Sequence, residues 1–331
     1  MKATPLLLCC SLLLTGMQAD AREQACPDVA HPPAPVCVAS PFGLAYADTQ
    51  DEAERAARAQ AGAAARFATY FGEAPAGVLI LSNSYDSTAA QEFANTHGLP
   101  YARVWLSTSD AQAMTARAMR KARVQPARIR RAVAAMVDGH ESTLRHELGH
   151  SMYAATFWPN ATDVGDRHYG SPAPDWLDEA AAILMESVES QGKLAGEFLH
   201  AGKLAPRDTP PLAEFLDMEH PVLTPALARE LERHGQKSGS GVQMLVSGNA
   251  NTLRAASFYG QALLTGMFLI EVSGDPRILA PISSAIAGGS SFSDWLAEAG
   301  PRHGLPDNLA ALQTAWETWS GSLLDRAQAT K

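Results

Sequence analysis

The stretch that decides the fold of this chain is His146-Glu147-Leu148-Gly149-His150. Residues four apart in a helix lie one turn apart on the same face, so His146 and His150 would direct both imidazoles toward one point. Glu147 follows about 100° round the helix axis, close enough to act on a water molecule bound by a metal ion. The spacing therefore predicts a metal site with hydrolytic chemistry, provided that the segment is helical and that a third ligand follows.

The neighbouring residues favour such a helix. Asp138 is suited to be the N-cap, and Glu141, three residues later, would complete a capping box. Apolar side chains then recur at helical spacing and predict a buried stripe, formed by Leu144, Leu148, Met152 and Ala155. Pro159 ends the segment. The two histidines lie beside this stripe, so we expect them at the interior edge of the helix, where protein atoms can frame a metal ion.

The type of the third ligand separates the families of zinc hydrolases. A metzincin would continue with glycine at position 153 and histidine at position 156, whereas this chain has Tyr153 and Thr156. A carboxylate in a second predicted helix follows in Pro174-Asp175-Trp176-Leu177-Asp178-Glu179-Ala180-Ala181-Ala182. Together with the first motif, this segment resembles the gluzincins, the HExxH metallopeptidases of the peptidase MA-like group, which carry a Trp-Leu-x-Glu-Gly-x-Ala pattern.

The resemblance implies roles for individual residues. It implies that Glu179 is the third zinc ligand, and the chain departs from the pattern at Ala180, where family members usually carry glycine. A looser resemblance begins at Tyr259, which matches a tyrosine that stabilises the tetrahedral intermediate in aminopeptidase relatives. The alternatives are structural. Glu179 and Asp178 would then favour a helix N-terminus through its dipole, and Tyr259 would be a core aromatic residue.

Three further features of the sequence are functional candidates. His140 and His168 flank the motif and could contact substrate or metal, although histidines in loops usually do neither. Gly239-Ser240-Gly241 could indicate a serine hydrolase, but it lacks the strand, turn and helix that surround a nucleophile elbow. The metal site is therefore the favoured interpretation.

The composition is typical of a folded protein. Hydrophobic residues make up 46% of the chain and charged residues 18%, which is enough to bury one large core or two lobes. The net charge of -9 argues against nucleic acid as a partner. One local run is basic, and consists of Arg117, Arg120, Lys121, Arg123, Arg128, Arg130 and Arg131. Such a run is most often a solvated helix face, and the alternative is contact with an anionic surface or substrate.

The N-terminus predicts export. Lys2, an apolar stretch over residues 6–14 and small residues at Ala19 and Ala21 are typical of a secretory signal peptide, here residues 1–21. The apolar run is too short to span a membrane, so we expect no transmembrane segment in the mature chain. Cys26 and Cys37 remain after cleavage, and an oxidising periplasm or medium favours a disulfide between them over two free thiols.

The periodicity predicts an α+β fold. We expect helices at 49–70, 86–96 and 109–124, with strands at 77–82 and 101–106, and mainly helices after Glu179. The predicted organisation is an N-terminal segment with the disulfide at 22–48, a zincin-like catalytic lobe with a small sheet and the active-site helix at 49–200, and a mainly helical C-terminal lobe at 201–331.

The sequence thus leads to the hypothesis of a secreted or periplasmic zinc-dependent peptidase. In this hypothesis Zn²⁺ is held by His146, His150 and Glu179, and leaves one position open for water. Glu147 takes the proton of the zinc-bound water as it attacks a peptide bond of a peptide or protein substrate. Tyr259 donates to the oxyanion. The alternative is an envelope or binding protein that retains the fold and the metal without turnover.

Overall fold

The computed structural model describes residues 25–161, 170–200, 210–221 and 250–329 of the 331-residue chain. Within these ranges the fold is α+β, with one small sheet and many helices, as the sequence predicts. The predicted signal peptide, His168 and the Gly239-Ser240-Gly241 segment lie outside the described residues.

The sheet has four strands in the order β1-β2-β3-β4, which are Val36–Ser40, Gly43–Ala47, Gly77–Leu81 and Ala102–Trp105. Strands β1 and β2 form an antiparallel hairpin, and β2, β3 and β4 run parallel. The sequence predicts β3 and β4 but assigns no strand to the segment 22–48. Strand β2 lacks the usual polar alternation because all five of its residues are buried.

Three helices cover and connect the strands close to where the periodicity places them. They are α1 at Gln50–Tyr70, α2 at Ser87–Thr96 and α3 at Thr108–Lys121. The side chains of Thr49, Asp86 and Ser107 cap these helices by accepting a backbone N–H from the first turn. Capping residues of this kind explain why the starts of these helices were predicted to within one residue.

The helix that carries the histidine motif is much longer than expected. Helix α4 spans Pro126–Phe157, so the prediction that Asp138 is its N-cap was wrong. Pro126 occupies the first turn, where its fixed φ fits and its missing N–H has no intrahelical partner to lose. Glu141 forms an ion pair with Arg145 one turn later and closes no capping box. The end of the helix at Phe157, two residues before Pro159, agrees with the prediction.

The remaining helices follow the motif helix. They are α5 at Asp175–Met185, α6 at Val188–His200, α7 at Leu212–Phe215, α8 at Ala250–Ser273, α9 at Leu279–Ala287, α10 at Phe292–Ala299 and α11 at Leu309–Ala329, with a short 3-10 helix at Gly300–His303 before the last. The described part of the chain after Glu179 contains no strand, as predicted. No helix among the described residues is both long and apolar enough to cross a membrane.

The two faces of the sheet pack against different helices. Leu44, Tyr46, Val78 and Ile80 form a core with Ala90 and Ala94 of α2. The alternate residues Ala45, Ala47, Leu79 and Leu81 belong to a larger core with helices α1 and α4. That core continues through α5 and α8 to Trp319 in α11, so it includes residues from both predicted lobes. Leu144, Leu148 and Met152 of the predicted stripe are fully buried in it.

Helix α5 is buried in the larger core. All eleven of its residues are buried, and it packs against α1, α4 and α8. Gly149 allows α4 to approach it closely, because a Cβ atom at this position would lie 2.7 Å from the Cα of Ala182. Ala180, which departs from the family pattern, faces Gly266 of α8, where a Cβ atom would lie 3.5 Å from its own. The two helices that carry the candidate ligands are therefore in direct backbone contact.

The predicted disulfide is confirmed. Cys26 and Cys37 are bonded, with their Cα atoms 6.1 Å apart. Cys37 belongs to the edge strand β1, so the bond ties the segment that precedes the sheet to its outermost strand. A closed loop of this length is worth about 3 kcal/mol in the chain-entropy model.

Candidate metal centre

Helices α4 and α5 bring three predicted ligands together. His146 and His150 lie one turn apart on α4, and Glu179 lies in the second turn of α5. The Nε2 atoms of the two histidines are 3.1 Å apart. The carboxylate oxygens of Glu179 lie 3.5 Å from Nε2 of His146 and 3.7 Å from Nε2 of His150. One ligand atom from each residue lies within 4.8 Å of the other two, so this group could hold a metal ion.

The protonation pattern of the histidines supports a cation between them. Nδ1 of His146 lies 2.9 Å from Glu186, and Nδ1 of His150 lies 2.7 Å from Asp178. A carboxylate accepts, so in each neutral ring Nδ1 carries the proton and Nε2 presents a lone pair. Two lone pairs facing each other across 3.1 Å repel, and a metal ion between them removes that repulsion.

The buried carboxylate of Glu179 points to the same conclusion. The residue is fully buried, and neither of its oxygens makes a hydrogen bond of good geometry among the described residues. A buried carboxylate without such bonds is costly unless a cation compensates it. Two imidazoles and one carboxylate are a donor set that suits Zn²⁺ and other divalent transition metals.

The two carboxylates behind the histidines are themselves held in place. The hydroxyl of Ser171 donates to Asp178 at 2.9 Å. Glu186 accepts from the hydroxyls of Ser142 and Ser190. Gly170 passes so close that a Cβ atom there would lie 2.2 Å from Asp178, and its φ of 91° is one that other residues rarely adopt. Such outer contacts fix the ring orientation of metal-binding histidines.

The acidic surroundings shift the pKa values of the ligands. Burial lowers the pKa of His146, but the hydrogen bond to Glu186 and the charges of Glu179, Glu186 and Glu147 outweigh burial and raise it to about 9. The pKa of His150 is also raised, because Asp178 and Glu179 outweigh its burial. The pKa of Glu179 is lowered, since the nearby histidines outweigh burial. Without metal, the centre therefore holds protons where a cation would bind.

Glu147, the predicted general base, is nearly buried and faces the edge strand of the sheet. Its carboxylate lies 3.5 Å from Nη1 of Arg103, a residue of β4. The Nε atom of Arg103 donates to the hydroxyl of Ser151 at 2.9 Å, and that hydroxyl donates to the backbone carbonyl of Glu147. Arg103 thus contacts both Glu147 and Ser151, which lie one helical turn apart on α4. Nothing in the sequence indicates this role, because a lone arginine in a strand belongs to no motif.

A third histidine adjoins the centre and was also missed. His220 is fully buried, and its Nε2 atom lies 3.2 Å from Oε1 of Glu179. Its backbone N–H donates to the carboxylate of Asp175 at the start of α5. It follows Glu179 by forty-one residues with no recognisable spacing, so only the fold brings it to the site. The group that could hold a metal does not include it.

Tyr259 lies beside the histidines. Its ring is edge-on to His146 with 6.4 Å between centroids, and 5.5 Å from the ring of His220. The residue is partly exposed and lies well inside helix α8, whereas the resemblance implies the start of a helix. Tyr259 therefore adjoins the centre without belonging to the candidate ligands.

His140 has a structural contact that accounts for its burial. It lies inside α4, not in a loop, and its Nε2 atom lies 3.0 Å from the backbone carbonyl of Leu106, to which it donates. Burial lowers its pKa, which favours the neutral ring. We assign it to the contact between α4 and the end of β4, and to no metal.

Comparisons of the chain with protein-family models, with curated proteins and with solved structures each gave no match. A functional conclusion therefore has to come from the residues and geometry of the site.

Proposed function

We propose that this chain is an exported zinc metallopeptidase of the gluzincin type, with a zincin-like catalytic lobe. The observation that carries the proposal is the convergence of His146, His150 and Glu179 from two helices, with Glu147 next to the first ligand on α4. The disulfide between Cys26 and Cys37 is consistent with export to an oxidising compartment.

The ligand set supports zinc as the metal. Three protein ligands of histidine and carboxylate type are typical of catalytic zinc sites, whereas structural sites are closed by four ligands and are rich in cysteine. A bound zinc ion would act as a Lewis acid on a carbonyl oxygen and would make water a stronger nucleophile near neutral pH.

The side chains around the ligands have separate roles in this proposal. Glu147 accepts the proton of the attacking water and passes it to the leaving amine. Arg103 positions that carboxylate through the contact of 3.5 Å. Tyr259 donates its phenolic hydrogen to the oxygen that becomes negatively charged, and donors of this kind contribute on the order of 3 kcal/mol.

One observation favours a second candidate, a protein of the same fold that retains the metal without turnover. The carboxylate of Glu147 is already engaged in an ion pair of 3.5 Å with Arg103, a contact that serves the packing of α4 against β4 and not hydrolysis. Because Glu147 belongs to the chemistry and not to the ligand set, one substitution separates the two candidates.

The test compares wild type with Glu147→Gln. The substitution preserves size and ligands but removes the base, so peptidase activity should fall about 100-fold or more while zinc content is unchanged. A substrate is first found by screening peptide libraries with and without a chelator. Glu141→Gln is the matched control, since it makes the same change on the same helix at a residue that pairs with Arg145. His146→Ala should abolish zinc binding, measured by elemental analysis.

The outcomes separate the candidates. Equal activity of wild type and Glu147→Gln would mean that the hydrolysis comes from elsewhere and would refute the peptidase. Bound zinc with no cleavage by either protein would favour the binding protein. Full zinc content in the His146→Ala variant would refute the metal centre.

A further inference from the structure

The end of the hairpin formed by α3 and α4 is strongly basic. Seven cations fall within fifteen residues, and are Arg117, Arg120, Lys121, Arg123, Arg128, Arg130 and Arg131. No aspartate or glutamate lies between Asp110 and Asp138. The seven residues, which we call the basic tip, stand out against a chain whose net charge is -9.

The fold concentrates these charges at one place. Helix α3 ends at Lys121 and α4 begins at Pro126, and the two helices pack against each other. Four residues therefore turn the chain, and Arg123 in this turn has a φ of 57°. All seven cations are exposed. Cations from the last turns of α3, the connection and the first turns of α4 thus share one end of the hairpin.

Among the residues that the structure describes, the basic tip has no internal partner. No side chain of the seven forms an ion pair or hydrogen bond with the described residues, whereas Arg55, Arg58, Arg103 and Arg145 each pair with a glutamate. Unpaired like charges at one site repel, so this arrangement costs free energy in the isolated protein. An external anionic partner would offset that cost.

The chemistry of the tip discriminates between anionic partners. Segment 106–137 contains no phenylalanine, tyrosine or tryptophan on which nucleic-acid bases could stack. The large apolar side chains near the tip, Met114, Met119, Val124 and Ile129, are buried or half-buried, so none of them is exposed for insertion into a bilayer. Seven exposed cations at the end of a hairpin, with no aromatic side chain among them, suit an anionic lipid surface better than a nucleic acid.

We propose that the basic tip docks this protein on an anionic phospholipid surface. The attraction is electrostatic, and each lysine or arginine near such a surface strengthens binding about fivefold. It falls off over a Debye length of about 8 Å at physiological salt. Because no apolar side chain inserts, the docking is reversible by salt.

The docked orientation leaves the metal centre accessible. Arg131 and His146 lie on the same helix, and a rise of about 1.5 Å per residue separates them by about 22 Å along its axis. That distance exceeds two Debye lengths at physiological salt, so the acidic metal centre is not repelled by the surface. The proposal does not depend on peptidase activity.

The experiment measures binding of the full mature chain to phosphatidylcholine vesicles with and without phosphatidylglycerol, by co-sedimentation. Wild type should bind only the anionic vesicles, and should be released at about 1 M salt, where the Debye length is about 3 Å. The variant Arg117→Gln/Arg120→Gln/Lys121→Gln should bind them about 100-fold more weakly. The control Arg58→Gln/Lys193→Gln/Arg302→Gln removes the same charge from exposed cations elsewhere, and should bind like wild type.

The result can overturn the proposal in several ways. Equal weakening of vesicle binding in both variants would show that binding depends on the net charge of the protein and not on the basic tip. Binding to neutral vesicles, or resistance to high salt, would show an apolar mode. Binding to soluble polyphosphate but not to anionic vesicles would assign the tip to a soluble polyanion. Far-UV circular dichroism and zinc content test whether each variant is folded. Both should match wild type, because no substituted residue contacts the metal centre.

Discussion

At the residue scale, each candidate ligand of the metal centre depends on a second polar group. Glu186 and Asp178 accept hydrogen bonds from Nδ1 of His146 and His150 and so orient the two Nε2 atoms toward each other. His220 lies against Glu179, with its Nε2 atom 3.2 Å from a carboxylate oxygen. The motif spacing predicts His146 and His150 as ligands, because four residues make about one helical turn, and Glu179 was expected from the Trp-Leu-Asp-Glu segment that follows. It cannot predict Glu186, His220 or Arg103, whose positions depend on how α5, the segment before α8 and β4 pack around α4.

His220 and Tyr259 adjoin the centre, and we expect different consequences from their loss. His220→Ala removes the group that orients Glu179, so zinc affinity should fall about 10- to 100-fold, as for other residues that support ligands. His220→Gln retains an N–H donor and should recover part of that affinity. Tyr259→Phe should leave zinc affinity unchanged and lower kcat with little change in KM. Competition titration with a zinc chelator and steady-state kinetics measure the two effects.

The assignment fails if the two residues behave alike. Wild-type zinc affinity in His220→Ala would remove its positioning role. Reduced zinc affinity in Tyr259→Phe would make that hydroxyl part of the metal centre.

At the scale of elements, the site depends on how closely α4 and α5 approach. Gly149 is in the motif but holds no metal, and its role is to let the backbone of Ala182 come near. Gly139, on the same helix, is exposed and has no atom within 4 Å of a Cβ atom placed there. The same substitution at these two glycines should therefore have opposite effects.

Gly139→Ala should stabilise the protein by about 0.5 to 1 kcal/mol, because alanine loses less conformational entropy in a helix. Gly149→Ala should destabilise it by about 1 to 3 kcal/mol, since overpacking separates the two helices. Zinc affinity should fall as well, because Glu179 moves with α5. Denaturant unfolding measures both changes in free energy. Stabilisation by both alanines would show that the helices can separate at no cost.

The elements also show which sequence patterns are informative. Helices α1, α2 and α3 have capping side chains and clear periodicity, and their predicted bounds agree with the structure to within one residue, except that α3 ends at Lys121, three residues earlier than predicted. Asp138 followed by Glu141 has the form of a capping box, yet it lies inside α4, because packing against α1 and α3 sustains the helix through it. Strand β2 was missed since it is buried on both faces and only five residues long. In both cases the secondary structure depends on burial in the tertiary fold, and a local sequence pattern carries no information about that burial.

At the scale of the whole molecule, charge is distributed unevenly. Carboxylates lie around the histidines of the metal centre, while the seven cations of the basic tip, at the far end of the α3–α4 hairpin, form no ion pair with the described part of the chain. The long helix therefore connects an acidic centre that favours cations with a basic tip that favours anions. This separation lets a surface hold one end of the protein without competing for the metal.

The acidic centre should make the stability of the metal-free protein depend on pH. The pKa of His146 is raised from 6.5 in the unfolded chain to about 9 in the folded state, and that of His150 is raised too. The folded state then binds more protons between these values, so stability from this pair is fully present below about pH 6.5 and lost as pH rises toward about 9. The lowered pKa of Glu179 acts oppositely, and its contribution is lost as pH falls below 4.5.

Zinc should reverse the first of these trends, because it binds deprotonated imidazoles and releases protons on binding. We expect the unfolding free energy of chelator-treated protein to fall by about 1.4 kcal/mol per pH unit for each extra proton held, between roughly pH 6.5 and 9. Apparent zinc affinity should rise across the same range. His146→Ala should flatten the decline, since it removes the histidine whose pKa is raised to about 9. Chemical denaturation at a series of pH values, with and without zinc, measures both, and a metal-free stability that rises between pH 6.5 and 9 would contradict the proposed proton-holding centre.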